Sequence, residues 1–335
     1  MRLLMLGGSA FVGRAVVTDA LARGWEVTTI NRGTADPVPG VRALVGDRTE
    51  PDGLAALADE PHDWDVVVDT WSAAPAVVGT SAHLLADRAA TYAYVSSRSV
   101  YEWPTPTGAD ESAPLVDADP ADTTNDDYAR AKRGAELAVR AAFGDRVLFA
   151  RAGLILGPWS NIGRLPWWLA RIARGGDVLA PGPRDLPLQF IDARDLAAWM
   201  LDATVAGITG PFDIVSPSGH ATMASLLAAC VEVTGSDARL HWVEPEVIEA
   251  AGIAPWTELP VWTPPGELHD ALHGSNVDKA MAAGLAPRPV EDTVADTWVW
   301  MESIGGMPPG RPGRPSPGLE PARERTVLNT VGGID

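Results

Sequence analysis

Tyr128 and Lys132 stand four residues apart, and their side chains are suited to proton transfer. On a helix that spacing places both side chains on one face, and the capping residues at positions 123–126 predict that a helix begins just before them. The unperturbed pKa of a tyrosine is about 10. Because a nearby ammonium stabilises the phenolate, it lowers that pKa toward the operating pH. The pair therefore predicts an acid/base group for a reacting oxygen.

The lysine of this pair is unusual in its composition context. Of 26 basic residues only two are lysines, Lys132 and Lys279. A compact ammonium is not interchangeable with a guanidinium, so a lysine here indicates a specific role. A phenol beside an ammonium supplies the proton that an alkoxide needs when a hydride is added to a carbonyl, and the same ammonium can bind a nicotinamide ribose.

Hydroxyl groups follow a predicted strand upstream of this pair. The segment Tyr92–Tyr101 is typical of a strand that ends in serines, among them Ser97 and Ser99. Ligands bind outside the carboxyl ends of parallel strands, so Ser97 is expected to share the substrate oxygen with Tyr128. The alternative is that these serines only cap the following turn.

The N-terminus has the parts that hold a pyrophosphate. A buried strand leads into Gly7-Gly8-Ser9-Ala10-Phe11-Val12-Gly13, and a helix is predicted from Arg14 to near Gly24. Glycines allow a tight turn and close backbone approach, while the helix N-terminus binds the anion. The residues expected to contact a dinucleotide here are Gly7, Ser9, Ala10, Phe11, Val12 and Gly13.

The end of the second predicted strand favours NADP(H) over NAD(H). An acidic residue there would bind the adenosine ribose hydroxyls, but this chain has Asn31 and Arg32. A guanidinium can hold a 2′-phosphate. The alternatives are NAD(H) as cofactor and a solvated loop cation. Asp47, after the third strand, is expected to recognise the adenine amino group.

Strands alternating with helices predict a doubly wound parallel sheet of the Rossmann type. We expect a dinucleotide-binding domain over residues 1–157, with strand and helix returns near 185–215, and a smaller mixed substrate lobe over 158–335. The predicted strands are Arg2–Leu6, Glu26–Asn31, Ala43–Gly46, Trp64–Asp69, Ala93–Ser96 and Val147–Ala150. The predicted helices are Gly13–Arg23, Arg194–Ala206, Met223–Thr234 and Val290–Glu302.

Composition excludes several classes of partner. A net charge of −18 over 335 residues disfavours nucleic acid. No apolar run approaches the ~18 residues of a membrane helix, and the short N-terminal strand does not resemble a signal peptide. We therefore expect a cytoplasmic protein with a small-molecule substrate, and a homodimer is the expected assembly. The single cysteine, Cys230, is expected to be an inert core thiol.

Two further patterns have weaker functional interpretations. His269 and His273 have helical spacing, but no third ligand is evident, so no metal site is predicted and a solvated or substrate-loop face is expected. Trp71 lies where a tryptophan can line a substrate cleft. Core packing is the alternative for most of the 13 tryptophans.

Together these segments resemble the short-chain dehydrogenase/reductase superfamily, in its extended and atypical branch of NAD-dependent epimerase/dehydratase-like and isoflavone-reductase-like proteins. The resemblance covers nearly the whole chain. It implies that Tyr128 is the acid/base, Lys132 its partner and Ser97 the catalytic hydroxyl, that Ser99 and Arg98 touch substrate, and that Ala152 lies near the nicotinamide carboxamide. The segments that carry it are Gly7–Gly13, Asp47, Ser97–Tyr101, Tyr128–Lys132, Arg151–Pro158 and Phe190–Asp195.

Three departures from the family pattern bear on function. Ala10 replaces the central glycine, which suggests looser or altered packing at the turn. Arg98 and Ser99 stand where sugar dehydratases carry an Asp–Glu pair, so dehydration is disfavoured. The asparagine that often binds a nucleotide-sugar after the sixth strand is missing. The favoured function is an NADP(H)-dependent oxidoreductase acting on a carbonyl or alcohol of a small metabolite. The alternatives are an NAD-dependent nucleotide-sugar epimerase and a non-catalytic cofactor-sensing protein.

Overall fold

A computed structural model describes residues 1–124, 126–308, 310 and 316–332. Its strands are β1 (Arg2–Leu6), β2 (Glu26–Asn31), β3 (Arg42–Val45), β4 (Trp64–Asp69), β5 (Ala89–Ser97), β6 (Val147–Ala152), β7 (Ile155–Leu156), β8 (Asp177–Pro181), β9 (Pro187–Leu188), β10 (Ile191–Asp192), β11 (Gly210–Ile214), β12 (Ala221–Thr222) and β13 (Arg239–Val243). Its helices are α1 (Phe11–Ala22), α2 (Ala55–Ala58), α3 (Pro75–Leu85), α4 (Tyr128–Phe143), α5 (Arg164–Ala173), α6 (Ala193–Val205), α7 (Met223–Thr234), α8 (Pro245–Ala250), α9 (Glu267–His273), α10 (Asp278–Ala282), α11 (Val290–Ser303) and α12 (Pro321–Gly332).

Seven parallel strands form the central sheet in the order β11-β6-β5-β4-β1-β2-β3. The direction of winding reverses between β1 and β4, which is where doubly wound sheets bind their ligands. The Rossmann-type fold predicted from the sequence is confirmed. β11 lies within the 185–215 stretch expected to return to this sheet, while the predicted boundary at residue 157 stays a prediction.

Alternation along the strands covers both faces of the sheet. On β1, Leu3 and Met5 pack with α1 and α6, whereas Leu4 and Leu6 pack with α3 and α4. A side-chain period of two sends successive residues to opposite faces, so a continuous apolar run such as Leu3–Leu6 belongs to a strand buried on both sides. The sheet is thereby held rigid, and its carboxyl edge is left for the site.

The second lobe has its own apolar core. Buried residues of α5, α7, α11 and α12 pack with strands β8 and β13, which form a separate parallel pair. Helix α7 begins at a reciprocal cap between Thr222 and Ser225 and ends at Gly235 in the left-handed conformation. Cys230 is fully buried in this core, as predicted.

Most predicted elements appear with small shifts at their ends. β1, β2 and β4 have the predicted bounds, and α7 does too. The predicted strand Ala43–Gly46 is displaced by one residue, and β5 begins four residues earlier than predicted. In the described part of the chain, no helix is both long and apolar enough to cross a membrane.

Candidate active site

The glycine turn after β1 brings the backbone of its two ends together. Gly7 and Gly8 have φ of 116° and 98°, which L side chains rarely adopt. A Cβ on Gly13 would lie 2.9 Å from the Gly8 backbone nitrogen. Ala10, at φ −138°, has an extended backbone that any residue adopts. The expected looser packing is therefore wrong, because the close Gly8–Gly13 approach does not depend on a glycine at position 10.

This turn fits the anionic part of a dinucleotide. Ala10 is the N-cap of α1 and its side chain makes no capping hydrogen bond, so no side chain occupies the first-turn N–H groups of Phe11 and Val12. Phe11 has φ 38°, an uncommon conformation for a bulky residue. Such uncapped N–H groups beside close-packed glycines are the donors that a pyrophosphate requires.

At the predicted adenosine end, Asn31 is fixed and Arg32 is exposed. The Asn31 carboxamide accepts from Gly33 N at 2.9 Å and donates to the Gly7 carbonyl at 3.4 Å. Hydrogen bonds from Thr49, first from its hydroxyl and then from its backbone N–H, lower the pKa of Asp47, and Arg32 adds a weaker effect. Arg32 and Asp47 thus lie near each other, at the ends of β2 and β3.

A buried ion pair that sequence reasoning missed supports this edge. Arg48 donates to both Asp69 carboxylate oxygens, at 2.7 and 2.8 Å, and the Tyr92 hydroxyl donates to one of them at 2.7 Å. Burial alone would raise the pKa of Asp69, but the Arg48 charge and these hydrogen bonds outweigh it, so the pKa is lowered. The only available sequence signal was the polar end of the β4 run.

The same pair positions Trp71. Asp69 accepts from the Trp71 backbone N–H at 2.9 Å, and Arg48 stacks over the indole with its guanidinium carbon 5.2 Å from the ring centroid. The indole N–H donates to the Ala74 carbonyl at 3.0 Å. Trp71 is therefore held rigidly after β4, and a contact with substrate stays a prediction.

Tyr128 and Lys132 lie on one face of α4, which begins at Tyr128. The cap is Asp127, one residue after the predicted capping run, and its carboxylate accepts from Arg130 N at 3.0 Å. Tyr128 is 44 % exposed, whereas Lys132 is 3 % exposed. An accessible phenol above a buried ammonium is the arrangement that the spacing predicted.

The Lys132 ammonium is held between β4 and β5. It donates to the Trp71 carbonyl at 2.6 Å and to the Val95 carbonyl at 2.8 Å, and it lies 4.6 Å from the Tyr94 ring centroid. Burial raises the pKa of Tyr94 well above its ordinary value, with smaller effects from Asp69 and Tyr128. Tyr128 and Lys132 therefore both lie close to Tyr94.

Ser97 is the last residue of β5 and lies two residues beyond Val95. Its hydroxyl accepts from Ser99 N and donates to the Ser99 hydroxyl, both at 3.1 Å, and so caps the 3₁₀ turn Arg98–Val100. Ser97 pairs in register with Ala152 of β6. The capping interpretation is thus observed, and the proposed contacts of Ser97 and Ser99 with substrate, and of Ala152 with the carboxamide, stay predictions.

Arg98 makes contacts that the sequence did not predict. Its guanidinium donates to the Leu272 and Ala271 carbonyls of α9, both at 3.0 Å, and its Nε lies 3.8 Å from Asp213. Arg98 is buried. The two terminal nitrogens therefore attach a substrate-lobe helix to the turn that follows Ser97.

A buried polar network lies below this turn. Glu136, on the Lys132 face of α4, accepts from the Ser96 hydroxyl at 2.7 Å and twice from Arg151 at 2.9 Å. Arg151 also donates to the Tyr101 hydroxyl, which donates to Asp213 at 2.6 Å. Burial raises the pKa of Asp213 to about 6, although Tyr101 and Arg98 oppose the shift. The network connects α4, β5, β6 and β11.

The two histidines of α9 are buried, so the expected solvated face is wrong. His269 and His273 are 4 % and 1 % exposed, and their ring centroids are 4.8 Å apart. Burial, and then the neighbouring His269, lower the pKa of His273 to about 3. Its Nδ1 accepts from Gln189 N at 2.9 Å. Among the described residues, no group of three or more metal-binding side chains occurs.

Comparisons with known proteins were made for the whole chain. A family model, "NAD dependent epimerase/dehydratase family", matches residues 3–211. No curated protein matches the sequence. Solved structures share the fold at low identity, each in complex with NAD or NAD+. They are the enzyme WbmH from Bordetella bronchiseptica (15 % identity, TM-score 0.66, 91 % of this chain and 99 % of that one), UDP-glucose 4-epimerase from Thermus thermophilus (19 %, 0.61, 90 % and 98 %), and dTDP-glucose 4,6-dehydratase from Bacillus anthracis (16 %, 0.63, 91 % and 97 %).

Proposed function

Since the chain belongs to the NAD dependent epimerase/dehydratase family and is an NAD(P)-dependent enzyme of the short-chain dehydrogenase/reductase type, we propose that it interconverts a carbonyl and an alcohol of a small metabolite with NADP(H). The nicotinamide cofactor, when bound, supplies or accepts the hydride. The chain's own task is to hold the substrate oxygen and to move a proton at the Tyr128 hydroxyl.

The observation that carries this proposal is the placement of Lys132 below Tyr128. An ammonium that donates to two fixed carbonyls is immobile, so its charge acts at one place. In the low-dielectric surroundings of Tyr94, that charge favours the phenolate of Tyr128. Tyr128 remains accessible for proton exchange with substrate, and Ser97 supplies a second hydroxyl at the same sheet edge.

Tyr128→Phe tests the proton transfer directly. We expect carbonyl-dependent oxidation of NADPH, measured over a panel of ketones and aldehydes, to fall by about 10²–10⁴-fold because the positioned acid is removed. The phenyl ring stays, so NADPH affinity should change less than threefold. A variant that retains wild-type turnover would refute the assignment of Tyr128, whereas loss of NADPH binding would point to a structural role.

The NADP(H) preference is proposed from Arg32. The relatives above are NAD complexes, so NAD(H) is the competing choice for this chain. Arg32 is exposed at the end of β2, where it can reach a 2′-phosphate. We expect Arg32→Ala to weaken NADPH binding about tenfold and NADH binding less than twofold, as measured by nicotinamide fluorescence. An equal loss for both cofactors would contradict the preference.

A nucleotide-sugar epimerase is the second candidate, because the family model and the solved relatives include epimerases. In that reaction the hydride is removed and returned, so no net cofactor turnover occurs. Release of nicotinamide dinucleotide from the denatured, freshly purified protein, together with the absence of carbonyl-dependent NADPH oxidation, would favour the epimerase.

A further inference from the structure

Arg14 extends the pyrophosphate turn with a side chain to which the glycine pattern assigned no role. It occupies the first turn of α1, and its backbone N–H donates to Ala10 at 3.2 Å. Helical side chains lean toward the N-terminus of their helix. The guanidinium therefore extends toward the uncapped N–H groups of Phe11 and Val12.

A tryptophan from another loop holds this guanidinium. The Arg14 guanidinium carbon lies 5.5 Å from the centroid of the Trp159 ring, within the range of a cation–π contact. Trp159 follows β7 and has φ 63°, which bulky residues rarely adopt. It packs against the same apolar cluster as Phe11 and Val12, so two loops at the carboxyl edge of the sheet meet at Arg14.

The hydrogen-bonding state of Arg14 points to a ligand. Its Nε is buried without a hydrogen-bond partner, and none of the ion pairs among the described residues involves it. By contrast, Arg48 at the same edge is already paired with Asp69, and Arg32 lies beyond β2. Buried donors without partners are uncommon and call for a specific explanation.

The charge of the whole chain makes such a cation necessary. At −18, the protein repels a dinucleotide whose phosphates are anionic. Backbone N–H groups and a helix dipole supply only partial charges. A guanidinium fixed beside them offsets the repulsion locally and binds two oxygens at once.

We propose that Arg14, held by the Trp159 ring, is a ligand for the pyrophosphate of the dinucleotide. This inference rests on the proposed cofactor-dependent function. It adds a side-chain cation to a site otherwise built from backbone, and it makes the loop that contains Trp159 part of the cofactor site.

The test is the affinity for ADP-ribose, which carries the pyrophosphate without nicotinamide or 2′-phosphate, measured by isothermal titration calorimetry. We expect Arg14→Gln to raise the Kd about tenfold or more, because a charge-assisted hydrogen bond is lost. The salt dependence of the Kd should also become weaker. Arg14→Lys should give an intermediate Kd, because a point charge replaces the fork.

The control is Arg184→Gln, which removes another arginine stacked on a tryptophan, Trp242, in the second lobe. It should leave the Kd unchanged. Trp159→Leu, which keeps Arg14 but removes its support, should raise the Kd about threefold. Thermal melts of all variants identify any that fail to fold.

The outcomes separate the two levels of the proposal. If folded Arg14→Gln and Arg14→Lys bind ADP-ribose within twofold of wild type, the Arg14 assignment is overturned while the proposed function stands. If the wild-type protein binds neither ADP-ribose nor NADH nor NADPH, the proposed function itself fails and takes the Arg14 assignment with it.

Discussion

At the scale of single residues, the site depends on charges that are buried and paired. The Asp69 carboxylate, with no exposed surface, holds Arg48, Tyr92 and the Trp71 backbone in place. Trp71 in turn offers its carbonyl to Lys132. A carboxylate remote from any reacting atom thereby determines where the catalytic ammonium lies.

We expect Asp69→Asn to lower the free energy of unfolding by about 3–5 kcal/mol. The amide can still accept hydrogen bonds from Tyr92 and Trp71, but Arg48 is left as a buried charge without its partner. Urea denaturation followed by tryptophan fluorescence measures the change.

Asp145→Asn provides the matched control for this prediction. The Asp145 side chain is 97 % exposed and pairs with Arg140 at the surface. Its loss should change the free energy of unfolding by less than about 1 kcal/mol. Similar effects of the two substitutions would contradict a buried, charge-dependent role for Asp69.

At the scale of elements, the carboxyl edge is assembled from the ends of strands that are distant in sequence. The network of Glu136, Arg151, Tyr101 and Asp213 fixes α4 against β5, β6 and β11. Arg98 continues it to α9. The position of Ser97 therefore depends on elements from both ends of the chain.

Asp213 predicts a pH dependence with a definite sign. Its pKa is about 6 in the folded protein, compared with an ordinary value of 3.8. Between about pH 4 and pH 6 the folded state binds more protons at this carboxyl than the unfolded chain does. The free energy of unfolding therefore falls as the pH rises through that window.

Asp213→Asn tests this prediction because an amide does not titrate. Relative to wild type, the variant should gain up to about 3 kcal/mol of stability between pH 4 and pH 7. Urea denaturation of both proteins at intervals of half a pH unit measures the difference. Parallel stability curves would contradict the raised pKa.

At the scale of the whole molecule, the C-terminal helix completes the second lobe. Leu319, Val327 and Leu328 belong to its apolar core. Glu324 pairs with Arg171 of α5 at 2.6 Å and accepts from Leu179 N of β8 at 3.1 Å. A segment at the end of the chain thus closes a core formed by residues well over a hundred positions earlier.

We expect a chain that ends at residue 308 to lose at least about 5 kcal/mol of stability. Each buried leucine or valine contributes roughly 1.5–3 kcal/mol, and Arg171 is left without its partner. Scanning calorimetry should show a lower Tm. A chain that ends at Thr330 keeps all four residues and should melt like wild type, and equal melting of the two truncated chains would contradict the prediction.

The sequence by itself determined the fold class and the local machinery, because these depend on short-range patterns. Alternating apolar runs specify buried parallel strands, glycines specify the turn after β1, and a four-residue spacing places Tyr128 and Lys132 on one helix face. Bounds such as those of β1, β2 and β4 follow from the same patterns.

Only the tertiary structure decided which side chains meet. Arg48 with Asp69, Glu136 with Arg151, and Arg14 with Trp159 join segments that are 15 to 145 positions apart. Their pairing is set by strand order and loop paths, which leave no periodic signal in the chain. For the same reason Arg98 proved to bind carbonyls of α9, and His269 and His273 proved to be buried. Burial depends on what packs over a residue, and that neighbour comes from elsewhere in the sequence.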